Sequence, residues 1–275
     1  MALSVVDLYS KILPKTNCKD CGFSTCIAFA GMVVSEKYPL KNCPYIAPEI
    51  LKDAEKQLED QYRKGKWLKK DMAEEALVLA KKKASSMKLK DIAARIGGKF
   101  KVINGKSAIT LPYFNTDLII TDNGIKEKFG KQLTKNEKTF IYIHMANGGS
   151  VNPYGKMKSL KEFPNTVSKI VSMRNHVEIP LINKFSSNTE SLESACKQSG
   201  GKNVKSLYDS PDLAFEFSVF PKIPVVLLFW DEDDGFEADV KLLFDETIIQ
   251  HLDIESIMFL SEHLCNMLIR AGEQG

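Results

Sequence analysis

Four of the six cysteines fall in one stretch: Cys18, Cys21, Cys26 and Cys43, spaced C-x2-C-x4-C-x16-C and followed by Pro44. A [4Fe-4S] cubane takes four cysteine thiolates at the corners of a roughly tetrahedral cage. Three cysteines in one short loop can wrap three corners, and the fourth can return from the far end of a helix. Gly22 permits a close approach and a positive φ. Ser24 or Thr25 can N-cap a helix whose apolar run starts at Cys26, so that its N-terminus points toward the anionic sulfides. Pro44 gives Cys43 a rigid exit. A zinc site is the weaker alternative, because only one C-x2-C half is present and no histidine precedes His144. A disulfide framework calls for a secreted context, which nothing in the chain signals.

The residues around these ligands carry a resemblance. Leu13-Pro14-Lys15-Thr16-Asn17-Cys18, Cys21-Gly22 and Thr25-Cys26-Ile27-Ala28-Phe29-Ala30 resemble the small cluster domain of the corrinoid iron–sulfur protein large subunit. A similar domain occurs in the B subunit of the Rnf electron-transport complex. The resemblance covers about residues 1–55 and implies one [4Fe-4S] cluster on Cys18, Cys21, Cys26 and Cys43. It stops there, since nothing further on resembles the TIM-barrel body of the corrinoid protein.

The remaining chain must position that loop and whatever it serves. With 275 residues, ordinary apolar and charged content and a net charge of +3, one large or two modest domains are expected, with no charge argument for nucleic acid. No run is long and apolar enough to span a bilayer and no signal-peptide layout is visible. The expected location is the cytoplasm, in the reducing interior of an anaerobic cell. The expected organisation is a cluster domain over residues 1–55, a helical Lys-rich linker over 56–90 and a mixed domain over 91–275. The expected fold class is α+β: a small helical unit, then antiparallel hairpins packed by helices.

Leu3, Val6, Leu8, Ile12 and Leu13 predict a short amphipathic helix lidding the cluster. Lys15, Lys19 and Lys41 lie near the ligands and read mainly as solvated, with docking of an acidic redox partner as the functional alternative. Ala47 to Lys90 reads as helix, with Ile50, Ala54 and Leu58, then Leu77, Ala80 and Ala84, at helical spacing and a break at Gly65-Lys66-Trp67. Lys81-Lys82-Lys83 with Lys88 and Lys90 reads as a solvated face.

Leu89, Ile92, Ala93 and Ile96 form a helical stripe ended by Gly97-Gly98. The period then changes. Lys99–Ile103, Asn104-Gly105 and Lys106–Leu111 predict a hairpin on a type I′ turn, with a third strand at Asp117–Thr121. The P-loop-like tail Asn104-Gly105-Lys106-Ser107 fails, because Phe100 stands where a glycine is required. Thr134 with Glu137 is a capping box opening a helix to Asn147. Pro164 and Pro180 are expected to break the chain between Pro153 and Asn188. A helix carrying Cys196 is capped near Ser186–Glu190. Leu213, Phe215 and Phe217 alternate as a half-buried strand; Pro221 and Pro224 bound a bend, and Val225–Trp230 reads as a central strand. The acidic turn Asp231–Gly235 fails the EF-hand pattern at Leu242. Asp253 caps a closing helix with Ile257, Leu260, Leu264 and Leu268 inside.

His144 sits in an apolar stretch; it reads as a buried histidine with one hydrogen-bond partner, with axial ligation of a metal-centred cofactor as the alternative. His176, His251 and His263 show no metal spacing, and Cys196 and Cys265 read as packed thiols. No nucleophile–base or paired-carboxylate arrangement can be singled out, so a redox carrier is expected over a stand-alone catalyst.

Leu111-Pro112, the Phe140–His144 helix, Pro224–Trp230, Leu243-Phe244-Asp245 and His251-Leu252 resemble a prokaryotic domain of unknown function, common in anaerobes, over about residues 70–270. Its frequent company with the cluster domain implies corrinoid (cobalamin) or one-carbon chemistry. The resulting expectation is an electron-transfer protein that passes low-potential electrons to a second centre, with a corrinoid protein or methyltransferase as redox partner. The alternative is a binding or maturation protein whose cluster is structural or redox-sensing.

Overall fold

Ser4 starts the first helical segment in the computed structural model. Its hydroxyl accepts the Asp7 N–H at 3.1 Å while the Asp7 carboxylate accepts the Ser4 N–H at 3.0 Å. The structure describes residues 3–63, 69–103, 105–233 and 235–273. The chain divides into two compact units, residues 1–72 and 73–275.

In the first unit, α1 (Val5–Asp7) runs into a π-helical turn at Leu8–Ile12. Leu8 and Leu13 are buried, but Val6 is exposed. The widened turn changes the period of the expected stripe, and Val6 falls off it. α2 (Cys26–Glu36) buries Phe29, Ala30 and Val33 completely. It ends at Lys37 in the left-handed region. α3 (Pro48–Arg63) turns inward Ala54, Leu58 and Gln61, with Leu51 partly buried beside them. The expected Ile50 is exposed, because residues 51, 54, 58 and 61 complete the 3-4-3 helical repeat and residue 50 does not. The Gln61 amide clamps the chain start: it accepts from the Leu3 N–H at 2.7 Å and donates to the Leu3 carbonyl at 2.9 Å. The expected break at Gly65-Lys66-Trp67 lies outside the described residues.

The second unit begins within α4 (Lys69–Ser85). Ala80 and Ala84 are buried in its core, and Lys81, Lys82 and Lys83 are exposed. α5 (Leu89–Ile96) buries all four residues of the expected stripe and stops at Gly97, φ +78°. A four-stranded antiparallel meander follows: β1 (Lys99–Ile103), β2 (Lys106–Tyr113), β3 (Thr116–Thr121) and β4 (Gly124–Glu127), in that order. Ile103 faces Lys106 across the first hairpin; Asn104 of the predicted turn lies outside the described residues. β4, not anticipated, pairs with β3 through Thr121 and Gly124.

α6 (Lys135–Asn147) carries the predicted capping box at Thr134 and Glu137. Next come β5 (Met157–Ser159), α7 (Val167–Met173), a π turn at Arg174–Glu178 and α8 (Ile179–Phe185). Pro180 does not break the chain. It occupies the first turn of α8, where a missing N–H costs little, directly after the π turn. α9 (Thr189–Gln198) is capped by Asn188. β6 (Lys202–Asn203), β7 (Leu213–Phe220), β8 (Ile223–Trp230) and β9 (Asp239–Asp245) join β5 in a second antiparallel sheet, ordered β5-β9-β8-β7-β6. Pro224 lies inside β8, opposite Ser218 and beside a bulge, rather than outside the strand. α10 (Ile254–Ala271) closes the unit, with Ile257, Leu260, Leu264 and Leu268 buried.

One core joins these parts. Ile109, Leu111 and Tyr113 of the meander meet Phe215, Phe217, Leu227, Phe229 and Phe244 of the second sheet, with α5, α6 and α10 packed among them. The class is α+β. Among the described residues no helix is long and apolar enough to cross a membrane.

Gly97 sits where this core is tight. A Cβ there would lie 2.8 Å from Pro221 Cβ, on a backbone already at positive φ. Gly97→Ala is expected to destabilise the second unit by roughly 1–3 kcal/mol. Urea unfolding followed by circular dichroism measures it, and an unchanged midpoint contradicts the packing described here.

Candidate metal centre

The loop before α2 has an unusual backbone. Lys15, Asn17 and Lys19, none of them glycine, take φ of 61°, 51° and 72°, and Gly22 takes 83°. Left-handed residues recurring in a short loop turn backbone N–H groups toward an anion. Two bonds hold the curve: the Asn17 side-chain carbonyl accepts the Cys26 N–H at 2.8 Å, and the Gly22 N–H reaches the Lys19 carbonyl at 2.8 Å. Thr25, not Ser24, is the N-cap, accepting from the Ala28 N–H. Cys26 is therefore the first residue of α2, where the helix dipole is positive. Cys43 follows a 3-10 turn at Leu40–Asn42, and its N–H bonds the Leu40 carbonyl at 3.1 Å.

Cys26 and Cys43 are buried, Cys21 is half-buried and Cys18 is exposed. Three mutually packed rings help build the apolar cluster that contains Cys26 and Cys43: Phe23, Phe29 and Tyr38, with centroids 5.2–6.0 Å apart. The Cys43 thiol is pushed up by burial, drawn partly back by the Tyr45 backbone N–H, and raised further by Cys21, Cys26 and Cys18. Each of the other three cysteines thus lies within electrostatic reach of Cys43. Among the described residues, no three His, Cys, Asp or Glu side chains are drawn to metal-binding separation. The donor set is still chemically suited to iron–sulfur: four cysteines and no competing imidazole, with a backbone N–H directed at one sulfur.

In the second unit, His144 and His251 are both fully buried with ring centroids 5.4 Å apart, and His144 stacks on Phe220 at 4.7 Å. The partner expected for His144 is absent: no nitrogen of either ring makes a hydrogen bond, although the backbone of Ile96 faces one and that of Val151 the other. His176 is exposed on the π turn. Cys196 is fully buried and its thiol raised by burial; Cys265 is raised to about 12 for the same reason and points its sulfur at the Val177 carbonyl. In the acidic turn, Asp231 accepts the Ser187 N–H at 2.8 Å and Glu232 accepts both the Ser186 and Ser187 hydroxyls. These bonds tie the turn to the start of α9.

One grouping escaped the sequence reading. Glu137, read only as a helix cap, is buried and also accepts the Tyr113 hydroxyl at 3.1 Å, with His263 Nε2 at 3.5 Å. The capping motif accounts for one carboxylate oxygen; nothing in sequence spacing ties residue 137 to residues 113 and 263.

Comparison with known proteins agrees with this division. The model of the family described as "Domain of unknown function (DUF3786)" matches residues 88–267, and that of the family described as "Putative Fe-S cluster" matches residues 13–45. The chain is 40% identical over 58 residues to the acetyl-CoA decarbonylase/synthase complex subunit gamma of Methanocaldococcus jannaschii, covering 21% of this chain and 12% of that protein. It is 47% identical over 47 residues to the corrinoid/iron-sulfur protein large subunit of Moorella thermoacetica, covering 17% and 10%. The chain thus spans about a tenth of the length of these curated relatives. No solved structure matches.

The buried histidines make stability depend on pH. Burial first, then His251, Lys222 and Arg95, lower His144 from 6.5 to about 3; His251 shifts the same way through burial and Lys222, opposed by Asp245. Below pH 6.5 the unfolded chain takes up protons that the native rings refuse. Their contribution is whole above 6.5 and is lost as the pH falls toward 3, at up to about 1.4 kcal/mol per pH unit for each ring. Urea midpoints should fall between pH 7 and 5, and less steeply in His144→Phe, which keeps a ring on Phe220. Equal slopes in the two proteins contradict the assignment.

Proposed function

Since the chain belongs to the family described as Domain of unknown function (DUF3786) and carries an iron–sulfur family match ahead of it, we propose that Cys18, Cys21, Cys26 and Cys43 hold a [4Fe-4S] cluster that passes low-potential electrons to a second centre. The observation that carries this reading is the set of four cysteines in the first unit, Cys18 and Cys21 on a loop with left-handed residues, Cys26 at the first position of α2 and Cys43 after a 3-10 turn, all within the span of the iron–sulfur family match.

When bound, the cluster supplies one-electron exchange. The chain's own residues set its surroundings. Cys26 and Cys43 keep two sulfurs in an apolar wall of Phe23, Phe29 and Tyr38, where water is excluded. Asn17 fixes the Cys26 backbone and so the loop to the helix start. Cys18 is the exposed corner, flanked in sequence by the exposed Lys15 and Lys19. That side favours approach by an acidic partner.

The two relatives are named for acetyl-CoA and corrinoid chemistry. That supports a corrinoid in one-carbon metabolism as the electron acceptor, on a corrinoid protein or methyltransferase. A reducing cytoplasm suits such a cluster.

Anaerobic reconstitution should yield about four irons and four sulfides per chain, with an EPR signal on reduction. Added Co(II) cobalamin should respond to the reduced protein. A reduced-cubane signal with no cobalt response rejects the corrinoid acceptor and leaves the cluster assignment intact. Cys43→Ala should lose or convert the cluster while the circular dichroism of the second unit persists; a full four-iron signal in that variant rejects the ligand assignment.

A further inference from the structure

Two adjoining cavities of the second unit, about 700 and 340 Å³, share Asn115, Lys131, Glu137, His263 and Met267 in their linings. Their sizes fall in the range of small-molecule sites. The Glu137 carboxylate, buried and 2% exposed, is fully engaged at their common wall. One oxygen accepts the Tyr113 hydroxyl at 3.1 Å and stands 3.5 Å from His263 Nε2; the other accepts the Thr134 N–H at 2.8 Å. The His263 ring is set among Tyr113, Phe114 and Phe140, with centroids 6.1, 5.8 and 6.2 Å away. Its side chain keeps 14% exposure, so an edge reaches the cavities. An imidazole held on one nitrogen by a buried carboxylate has its orientation set and keeps the other nitrogen for exchange.

The charges around this ring are asymmetric. Lys131 and Arg270 both bring positive charge to bear on His263. Glu127, on the smaller cavity, is already committed to the Thr116 hydroxyl and to the N–H groups of Phe129 and Lys131. Lys135 and Glu262 line the larger cavity, and each is already engaged. The larger space is also lined by the cations Lys131 and Arg270, the edge of His263, and neutral polar residues such as Gln132, Asn136 and Asn266, the last donating its amide to the Glu262 carbonyl. That set is complementary to an oxyanion.

We propose that this cleft binds a small molecule bearing a carboxylate or phosphate, with Lys131 and Arg270 taking the anionic group and His263, backed by Glu137, sharing a proton with it. The site is independent of the cysteine cluster and stands or falls without it. Burial holds free His263 below the ordinary imidazole value, with Lys131 and Arg270 acting the same way and Glu137 opposing them. A bound anion favours the imidazolium, so binding takes up a proton and tightens as the pH falls.

Calorimetric titration of the full chain with inorganic phosphate and with succinate, at pH 8 and pH 6, tests this; the two probes separate a phosphate from a carboxylate ligand. At least one probe should saturate, about fivefold more tightly at pH 6, and a pair of buffers of different ionisation enthalpy should report proton uptake. The double variant Lys131→Met, Arg270→Met changes two exposed side chains and should weaken binding at least tenfold with an unchanged melting curve. His263→Gln should still bind but lose the pH dependence. If neither probe saturates, or the double variant binds like the parent, the cleft is not an oxyanion site. Where His263→Gln does not fold, the buffer-pair measurement on the parent decides the role of the imidazole, and its proton uptake being zero overturns that role.

Discussion

A cysteine sulfur buried near other cysteines loses its hydration and is disfavoured as an anion, as at Cys43. The first unit is arranged around this constraint. Burial and neighbouring sulfurs raise Cys43, while a backbone N–H from Tyr45 opposes them; Cys26 in turn opens a helix, after a loop of left-handed residues. These are partial positive charges supplied by the main chain, which costs no additional buried side-chain charge. The apolar wall of Phe23, Phe29 and Tyr38 is the other half of the arrangement, because dipoles act more strongly where water is excluded. A pocket built this way suits an iron–sulfur core, whose net charge is spread over four corners.

The second unit meets a different constraint. Its core joins two antiparallel sheets and three long or medium helices, and α6 lies deep enough that polar residues on it are buried. Two outcomes follow on a single helix. Glu137 is buried with a partner for each oxygen. His144 is buried without a partner, so it stays neutral and packs as an aromatic ring against Phe220. Two turns of helix separate a candidate functional group from a structural one, and the neighbours decide which is which.

Several elements were legible from residue types alone, because their determinants are local. The Thr134–Glu137 capping box, the stop at Gly97 and the α5 stripe need only neighbours within a turn. The hairpin of β1 and β2 follows from a change of period around a turn pair. The misreadings share an opposite cause. Pro180 looked like a break, but a preceding π turn supplied it with a first-turn position. Ile50 looked buried until the face of α3 settled on Leu51, Ala54, Leu58 and Gln61, a choice made by what the helix packs against. β4 and β6 were missed because such short strands exist only through their pairing partners.

The cysteine spacing determined the candidate ligand set, since thiolate chemistry and loop length are properties of the chain itself. Which cysteine is exposed was decided by tertiary packing, which buried Cys26 and Cys43 and left Cys18 in solvent. The cleft behind Glu137 belongs wholly to the second kind. Tyr113, Glu137 and His263 come from a strand and two helices far apart in sequence. No local periodicity records that they meet, because only the closing of α10 over the core brings His263 to a carboxylate that already caps α6.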